Sequence, residues 1–365
     1  MAQTLIGLND AKAVKRFSVA LAAETWQRSF WGRNFAASDG SQPLHRITEL
    51  ESNAGDQVTA DLFVNLTGLG IEGDNTLKGN EEALSAHTMN FWIDQLRHGV
   101  SVGGKMTRKR TVHDLRMIGK EKLSIWWSRR FDEELFIYAA GVRGAETGDW
   151  LLPTTYTGRA NNSLTAMDST HILRVNSRAS DGTLVPGDLF SMGFLEDINY
   201  QLKKMANAPK PIMMNGQEKY ILILHPTAEK QLRQGSSTAA INDWAQLKKY
   251  TMDGQKQIWG EALGGYGKLV LFSHPKIPVV NNADDGAGVD DKGCVHNLLL
   301  GAQAMMFATG QAGGPFKFDW HEEQDDRGNL PVIDTGTIFG VQRAIWNSLS
   351  FSVMSCRSHH VTAVS

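Results

Sequence analysis

Gly68-Leu69-Gly70-Ile71-Glu72-Gly73 has the spacing of a dinucleotide-binding turn, and Asp94 lies about 20 residues on, where a ribose-binding acid would stand. Such a turn works only where it opens a helix whose N-terminus meets the pyrophosphate. Here Asp74 to Ser85 contains Gly79 and Asn80 and is too short for a crossover helix with its loops, so the segment reads as a loop. Gly260 to Lys268 (GEALGGYGK) has the composition of a phosphate loop, but the G-x-x-x-x-G-K-[ST] spacing fails and Leu269 follows the lysine. No G-x-S-x-G elbow and no H-E-x-x-H pair occurs; His321-Glu322-Glu323 lacks the second histidine. The 11 histidines are scattered rather than set at ligand spacing, except His359-His360, for which the sequence offers no partner. Asp284, Asp285, Asp290 and Asp291 in NNADDGAGVDD supply the acids of a calcium loop but not its glycine and glutamate positions, so a solvated turn is expected. No acid, base or nucleophile stands out. The sequence therefore predicts no catalytic residue, no cofactor and no metal, and gives no reason to expect an enzyme.

The placement of charge is more informative. Lys105, Arg108, Lys109 and Arg110 stand at the start of a long helical pattern. That is the positive end of a helix dipole, where each cation costs about 0.3–1 kcal/mol. Glu72, Asp74, Glu81 and Glu82, against the single Lys78, crowd a Gly-rich loop. Both groups could be plain solvated surface. The sharper expectation is that the acidic tip of one subunit meets the basic helix start of another, with nucleic acid as an alternative partner for the basic group.

Those charges need elements to carry them. Val58, Ala60, Leu62, Val64 and Leu66 alternate with Gln57, Thr59, Asp61, Phe63 and Asn65, a strand signal. A second strand-like run covers Met89 to Val102. The two flank Gly68 to His87, so an extended hairpin with arms of about 12 residues, ~40 Å long, is expected. Loops of about 20 residues are uncommon in compact domains and are usually functional. Leu115, Ile118, Leu123, Trp126, Trp127, Phe131, Leu135 and Tyr138 keep a helical period and predict one helix over Thr107–Ala140, ~50 Å long, with Gly141 as its stop. Asp10 to Trp31 reads as an N-terminal helix, Gly144 to Gly187 as an irregular insertion and Leu189 to Ala206 as an amphipathic helix. Lys219–Leu224, Lys268–Phe272, Val279-Val280 and Leu298–Thr309 read as central strands. With helices at Pro226–Gln234 and Asp243–Met252 they make a mixed unit over about 208–310. The tail alternates strands and turns.

Composition bounds the rest. A chain of 365 residues with 41% hydrophobic and 21% charged residues can bury a large core. A net charge of −2 excludes a strongly basic nucleic-acid binder and an acidic disordered tail. No apolar run reaches the roughly 18 residues a membrane helix needs, and MAQTLIGLNDAKAVKRF has no signal-peptide core, so no membrane partner and no export are expected. Cys294 and Cys356 cannot make a disulfide framework, which fits synthesis in a reducing cytoplasm.

AGDQVTADLFVNLTGLGIEGDNTLKGNEEAL, IDQLRHGVSVGGKM and DLRMIGKEKLSIWWSRRFDEELF, between Gly55 and Gly141, resemble the major capsid protein family of the N4-like tailed bacteriophages. Weaker similarity runs through YILILHPTAEKQL, GGYGKLVLFSHPKIP, NLLLGAQAMMFATG and VIDTGTIFGVQRAIW. The resemblance implies an α+β, Hong Kong 97-type tailed-phage capsid fold, shared with encapsulin shells. On it, 1–55 would be an N-terminal arm and 56–105 an extended loop (E-loop). The peripheral (P) domain would be 106–207, with the spine helix and an insertion at about 144–187. The axial (A) domain would be 208–310, and 311–365 would return to the P-domain. The same resemblance implies pentamers and hexamers tiling an icosahedral shell around double-stranded DNA. Scaffolding and portal proteins would be partners, as could a decoration protein. The protein would be made in the host cytoplasm and reside in the virion. Some relatives crosslink through a Lys–Asn bond; Lys78 is in the right loop, but nothing else marks such chemistry and none is expected. An encapsulin-like protein compartment and a dinucleotide-binding oxidoreductase are the rival readings.

Overall fold

The computed structural model describes residues 11–360 apart from 52–53, 64–65, 67, 112, 215, 235–261, 282–292, 311–316 and 325–328. The expected helix at Asp243–Met252 and the Asp284–Asp291 turn lie outside the described residues.

The N-terminal helix is two helices, α1 (Ala11–Arg28) and α2 (Phe30–Phe35). Ser29 breaks the run because its hydroxyl caps α2, accepting from the Gly32 N–H, and also donates to Asp132 Oδ1 at 2.7 Å. Asp132 further accepts the Phe30 and Trp31 N–H groups. The turn drives Phe30, Trp31 and Phe35 into the core, where the first two rings meet Phe136 at 5.7 and 5.2 Å. Two short strands follow, β1 (Ala36–Ala37) and β2 (Leu44–Ile47).

The expected hairpin forms from β3 (Gln57–Phe63) and β4 (Ala86–Trp92), but its second arm does not run on to Val102. The chain turns at Ile93 and leaves as β5 (Asp94–Ser101) for another sheet. The paired arms are thus 7 residues each, ~23 Å rather than ~40 Å. The long helix is likewise divided, into α3 (Lys105–Arg110) and α4 (Leu115–Ala140). Asp114 imposes the break, since its carboxylate accepts the Arg116 and Met117 N–H groups and starts α4 afresh. Gly141, at φ 73°, ends α4 as expected, its N–H bonding Ile137 O. At 26 residues α4 is ~39 Å long.

The insertion holds β6 (Gly158–Arg159), β7 (Asn162–Ser163), β8 (Ile172–Arg174) and short 3-10 turns. It coats the second half of α4, where every residue from Arg130 to Ala140 is buried. That half carries acids which the insertion pairs: Glu133 accepts the Leu151 and Leu152 N–H groups, and Glu134 accepts from Tyr156 and Arg159. Then come α5 (Met192–Lys204), β9 (Ile212–Met214), β10 (Gln217–Leu224), α6 (Pro226–Gln234), β11 (Gly264–Tyr266), β12 (Leu269–Ser273) and β13 (Val279–Asn281). The chain finishes with β14 (Gly293–Leu300), β15 (Met305–Thr309), β16 (Asp319–Gln324), β17 (Leu330–Arg343), β18 (Ile345–Trp346), β19 (Leu349–Ser350) and β20 (Val353–His360).

Two sheets organise the molecule. A six-stranded sheet runs β1-β2-β15-β17-β16 with β5 also on β17, and α4 packs across it; Trp127 Nε1 donates to Thr335 Oγ1 of β17. An eight-stranded sheet runs β11-β12-β10-β14-β20-β8, with β13 on β14 and β9 on β10. The expected single strand Leu298–Thr309 is therefore two strands in different sheets, because Gly301 turns the chain and a Cβ there would lie 2.2 Å from Lys210 O. The tail from 311 is shared between the two sheets: β16 and β17 join the six-stranded sheet, while β20 pairs with β14 along eight residues. Sequence intervals thus cut across the sheets.

Candidate assembly interface

The hairpin is rooted by its apolar face. Val58, Met89, Phe91 and Ile93 are buried with Met306, Ala308, Ala344 and Trp346, and Trp346 Nε1 donates to Ala60 O at 3.2 Å. The alternation in β3 decides this, since Val58, Ala60 and Leu62 share the face that meets the cluster. The pivot at Trp92-Ile93 is held by one side chain. Asn162, 3% exposed, accepts the Trp92 N–H at 2.8 Å and donates to Trp92 O at 2.7 Å, as a neighbouring strand would. Tyr138 of α4 donates to Asn162 O, and Arg159 donates to Asp94 O and Phe339 O while stacking on the Phe339 ring at 3.9 Å. The base of the loop is thus tied to the spine helix and to the insertion.

Beyond the paired arms the chain changes character. Residues 68–85 contain neither helix nor strand, and all but the half-buried Ile71 are exposed. The dinucleotide reading fails here for want of the helix that Gly68–Gly73 would have to open. The loop is nonetheless folded on itself. Gly68 N–H donates to Glu82 Oε2 at 2.6 Å, Gly79 N–H to Glu81 Oε2 at 2.7 Å, and Asn80 N–H to Leu77 O at 2.9 Å. The four acids of the tip therefore divide by task. Glu81 and Glu82 brace the loop, whereas the Glu72 and Asp74 side chains and the Lys78 ammonium make no hydrogen bond or ion pair among the described residues.

The basic group sits elsewhere than expected. Arg108, Lys109 and Arg110 occupy the last turn of α3, its negative end, so the dipole favours them instead of opposing them. No residue of α3 is buried. Asn329, just before β17, holds the helix by accepting Lys105 N–H at 3.1 Å on its side chain and Arg108 Nη2 at 3.4 Å on its carbonyl. Within one subunit the structure does not bring the α3 cations and the tip acids into an ion pair among the described residues.

Some chemistry-bearing residues do converge, in the eight-stranded sheet. Asp181, Cys294 and His296 offer ligand atoms within 4.8 Å of one another. Both Asp181 oxygens are already taken, by Arg174 Nε at 2.6 Å and by Arg357 Nη1, and a divalent cation would face both guanidiniums. Burial, with Asp181 beside it, also pushes the Cys294 thiol up to about 12, so it stays protonated. The cluster is an ion-pair network under the sheet. His359 and His360, for which the sequence offered no partner, are buried on β20, where the His360 ring lies 5.6 Å from His225.

Asn162 and Arg159 were not among the sequence candidates. The signal is the run Gly158-Arg159-Ala160-Asn161-Asn162: Ala160 and Asn161 both take positive φ, 55° and 60°, making the tight turn of β6–β7 that presents both side chains.

Residues 5–364 match the family model described as phage capsid protein. The chain is 27% identical over 342 residues to the major capsid protein of Pseudomonas phage KPP25, covering 86% of this chain and 87% of that one. It superposes on the capsid of Ralstonia phage GP4 with a TM-score of 0.82 and 33% identity, over 100% of both chains. The cyanophage Pam1 capsid matches with a TM-score of 0.72 at 16% identity, over 92% of this chain and 93% of that one, a likeness of fold.

Proposed function

This chain belongs to the phage capsid protein family and is a major capsid protein, and from that premise we propose that it builds a closed icosahedral shell from copies of itself, through pentamers and hexamers, around double-stranded DNA. The observation that carries this reading is the hairpin tip. Leu69, Leu77 and Leu84 are 103%, 60% and 72% exposed on a loop braced by its own hydrogen bonds. A braced loop that shows its leucines to water has its packing surface on another molecule. A contact between a loop and a different patch of the next copy is heterologous, and heterologous contacts that close make rings.

The partners of the α3 cations Lys105, Arg108, Lys109 and Arg110 are, on this reading, Glu72 and Asp74 of a neighbour. Glu81 and Glu82 brace the tip, and Lys78 is carried on it for contact with the neighbour. A net charge of −2 suits a container that must later release its DNA, since a strongly cationic lining would hold it. Scaffolding and portal proteins guide closure in the host cytoplasm, and the N4-like subgroup is part of the same proposal. The encapsulin alternative differs in its contents, a protein cargo in place of a genome.

Electron microscopy of the expressed protein tests the reading. Closed shells are expected. Replacing residues 69–85 with a short Gly-Ser link should leave a folded subunit that forms none; normal shells from that variant would refute the role of the tip.

A further inference from the structure

Asp168 and His171 bracket a 3-10 turn of the insertion, Ser169–His171. Asp168 caps that turn by accepting the His171 N–H at 3.2 Å, and its Oδ1 also lies 2.8 Å from His171 Nδ1. Thr170 Oγ1 donates to the same oxygen, and the Ser350 N–H of β19 donates to Oδ2 at 2.9 Å. Burial raises the Asp168 carboxyl, but the bonds from Thr170, Ser350 and His171 outweigh burial and hold it well below the usual carboxylate range. Asp168 is therefore an ionised acceptor with no proton to give. Thr170 Oγ1 also stands 3.1 Å from Nδ1, and with its own proton committed to Asp168 it too can only accept.

The His171 ring is fully buried. Its other nitrogen, Nε2, lies 3.1 Å from the backbone carbonyl of Asn207, in the connector between α5 and β9. A carbonyl likewise only accepts. A neutral imidazole has one N–H and one bare nitrogen, so it can serve one of these partners and not both. The neutral ring would set a lone pair against an oxygen inside the protein, at the cost of an unmade buried hydrogen bond. The imidazolium, with two N–H groups, satisfies both sides. The connector it reaches also touches the crossing between the sheets. Lys210 N–H donates to Ser352 Oγ at 3.1 Å, and Lys210 O accepts the Ala302 N–H at 2.8 Å, where the chain leaves β14 of one sheet for β15 of the other.

We propose that His171 is a buried imidazolium, and that loss of its second proton frees the Asn207 connector and loosens the junction of the two sheets as pH rises. The remaining N–H stays on Nδ1, because a hydrogen bond to a charged acceptor is the stronger one. The proton-bound form is the closed form, so the junction is tight at lower pH and opens with alkali. The other charged neighbours are already engaged. Arg343 of β17 faces Asp168 and is held by the Ala139, Thr165 and Ala166 carbonyls. On β20, which packs against the turn, Arg357 is paired with Asp181, and burial keeps the Cys356 thiol protonated. Lys210 on the connector is exposed.

The ring nitrogens can be read directly by nuclear magnetic resonance of the full-length chain, labelled with nitrogen-15 in its histidines and kept as unassembled subunits. The signals absent from His171→Gln belong to His171. At pH 7.5, above the ~6.5 at which a free imidazole is half protonated, two N–H-type nitrogens are expected. One N–H and one bare nitrogen at that pH would overturn the proposal. Should His171→Gln fail to fold, Thr170→Val identifies the signals by their displacement, since it alters the neighbour of Nδ1 and leaves the Asp168 and Asn207 contacts in place. The pH is then raised until the second proton leaves. Amide exchange at Lys210 and Ala302, corrected for pH and referred to the β14 amides, is expected to rise roughly tenfold at that point, the factor that goes with one lost hydrogen bond to a charged group. A His171 titration that leaves Lys210 and Ala302 unchanged would overturn the release, as would a ring that keeps both protons until the chain unfolds.

Discussion

Mild acid should loosen the eight-stranded sheet through two buried histidines. Burial, with His360 beside it, pushes His225 down to about 4 from 6.5. Burial, helped by Arg357 and opposed by Asp181, pushes His296 down to about 3. His225 also has a structural reason to stay neutral: its Nδ1 accepts the Thr227 N–H at 3.2 Å at the start of α6, and a protonated ring cannot accept. A depressed histidine binds its proton more readily in the unfolded chain, so stability falls as pH drops below the unfolded value of about 6.5 and levels off only below the folded one. At about pH 5 the gap to 6.5, at ~1.36 kcal/mol per pH unit, gives a loss of ~2 kcal/mol for each histidine and ~4 kcal/mol for both. Asp132 works the other way. Burial outweighs its hydrogen bonds from Phe30, Ser29 and Trp31 and raises it to about 6, so protonation returns about 1 kcal/mol over the same interval. The clean test therefore compares variants. His225→Asn keeps an acceptor in the capping position and removes the titration. Urea unfolding of unassembled subunits, between about pH 7.5 and pH 5, should show the variant losing ~2 kcal/mol less than the wild type. Parallel pH profiles for the two would refute the reasoning.

Two further outcomes follow from the pivot of the hairpin. Asn162→Ala leaves the N–H and C=O of Trp92 without their partner and should cost about 2–4 kcal/mol. Hydrogen exchange should rise across β3 and β4 in particular, and unchanged protection there would count against Asn162 as the clamp. Gly340→Ala would place a Cβ 2.1 Å from Trp92 O, so β17 must shift from the pivot at a cost of roughly 1–3 kcal/mol. A thermal midpoint equal to the wild type would show that the close approach is not needed.

Much of the local structure was legible. Alternation in Val58–Leu62, the periodicity of Leu123–Tyr138 and the Gly141 stop each depend on side chains a few residues apart, and each appears where expected. The breaks were not legible. Asp114 and Ser29 lie inside runs with good helical period, and single polar residues outweigh that period only because their side chains cap a new helix. The switch at Ile93 is set by β17, more than 200 residues later in the chain, which offers a partner to Asp94–Ser101 that the hairpin does not.

The sequence by itself determined the alternating strands, the glycine-rich acidic tip, the basic cluster and the family, because short-range pattern and residue type suffice for these. Tertiary structure alone decided which charges are available. Glu81 and Glu82 are consumed by backbone N–H groups of their own loop, Glu133 and Glu134 are paired under the insertion, and Glu72, Asp74 and the α3 cations face outward. A carboxylate's role depends on the donors within about 3 Å of it, and folding rather than composition brings those donors there.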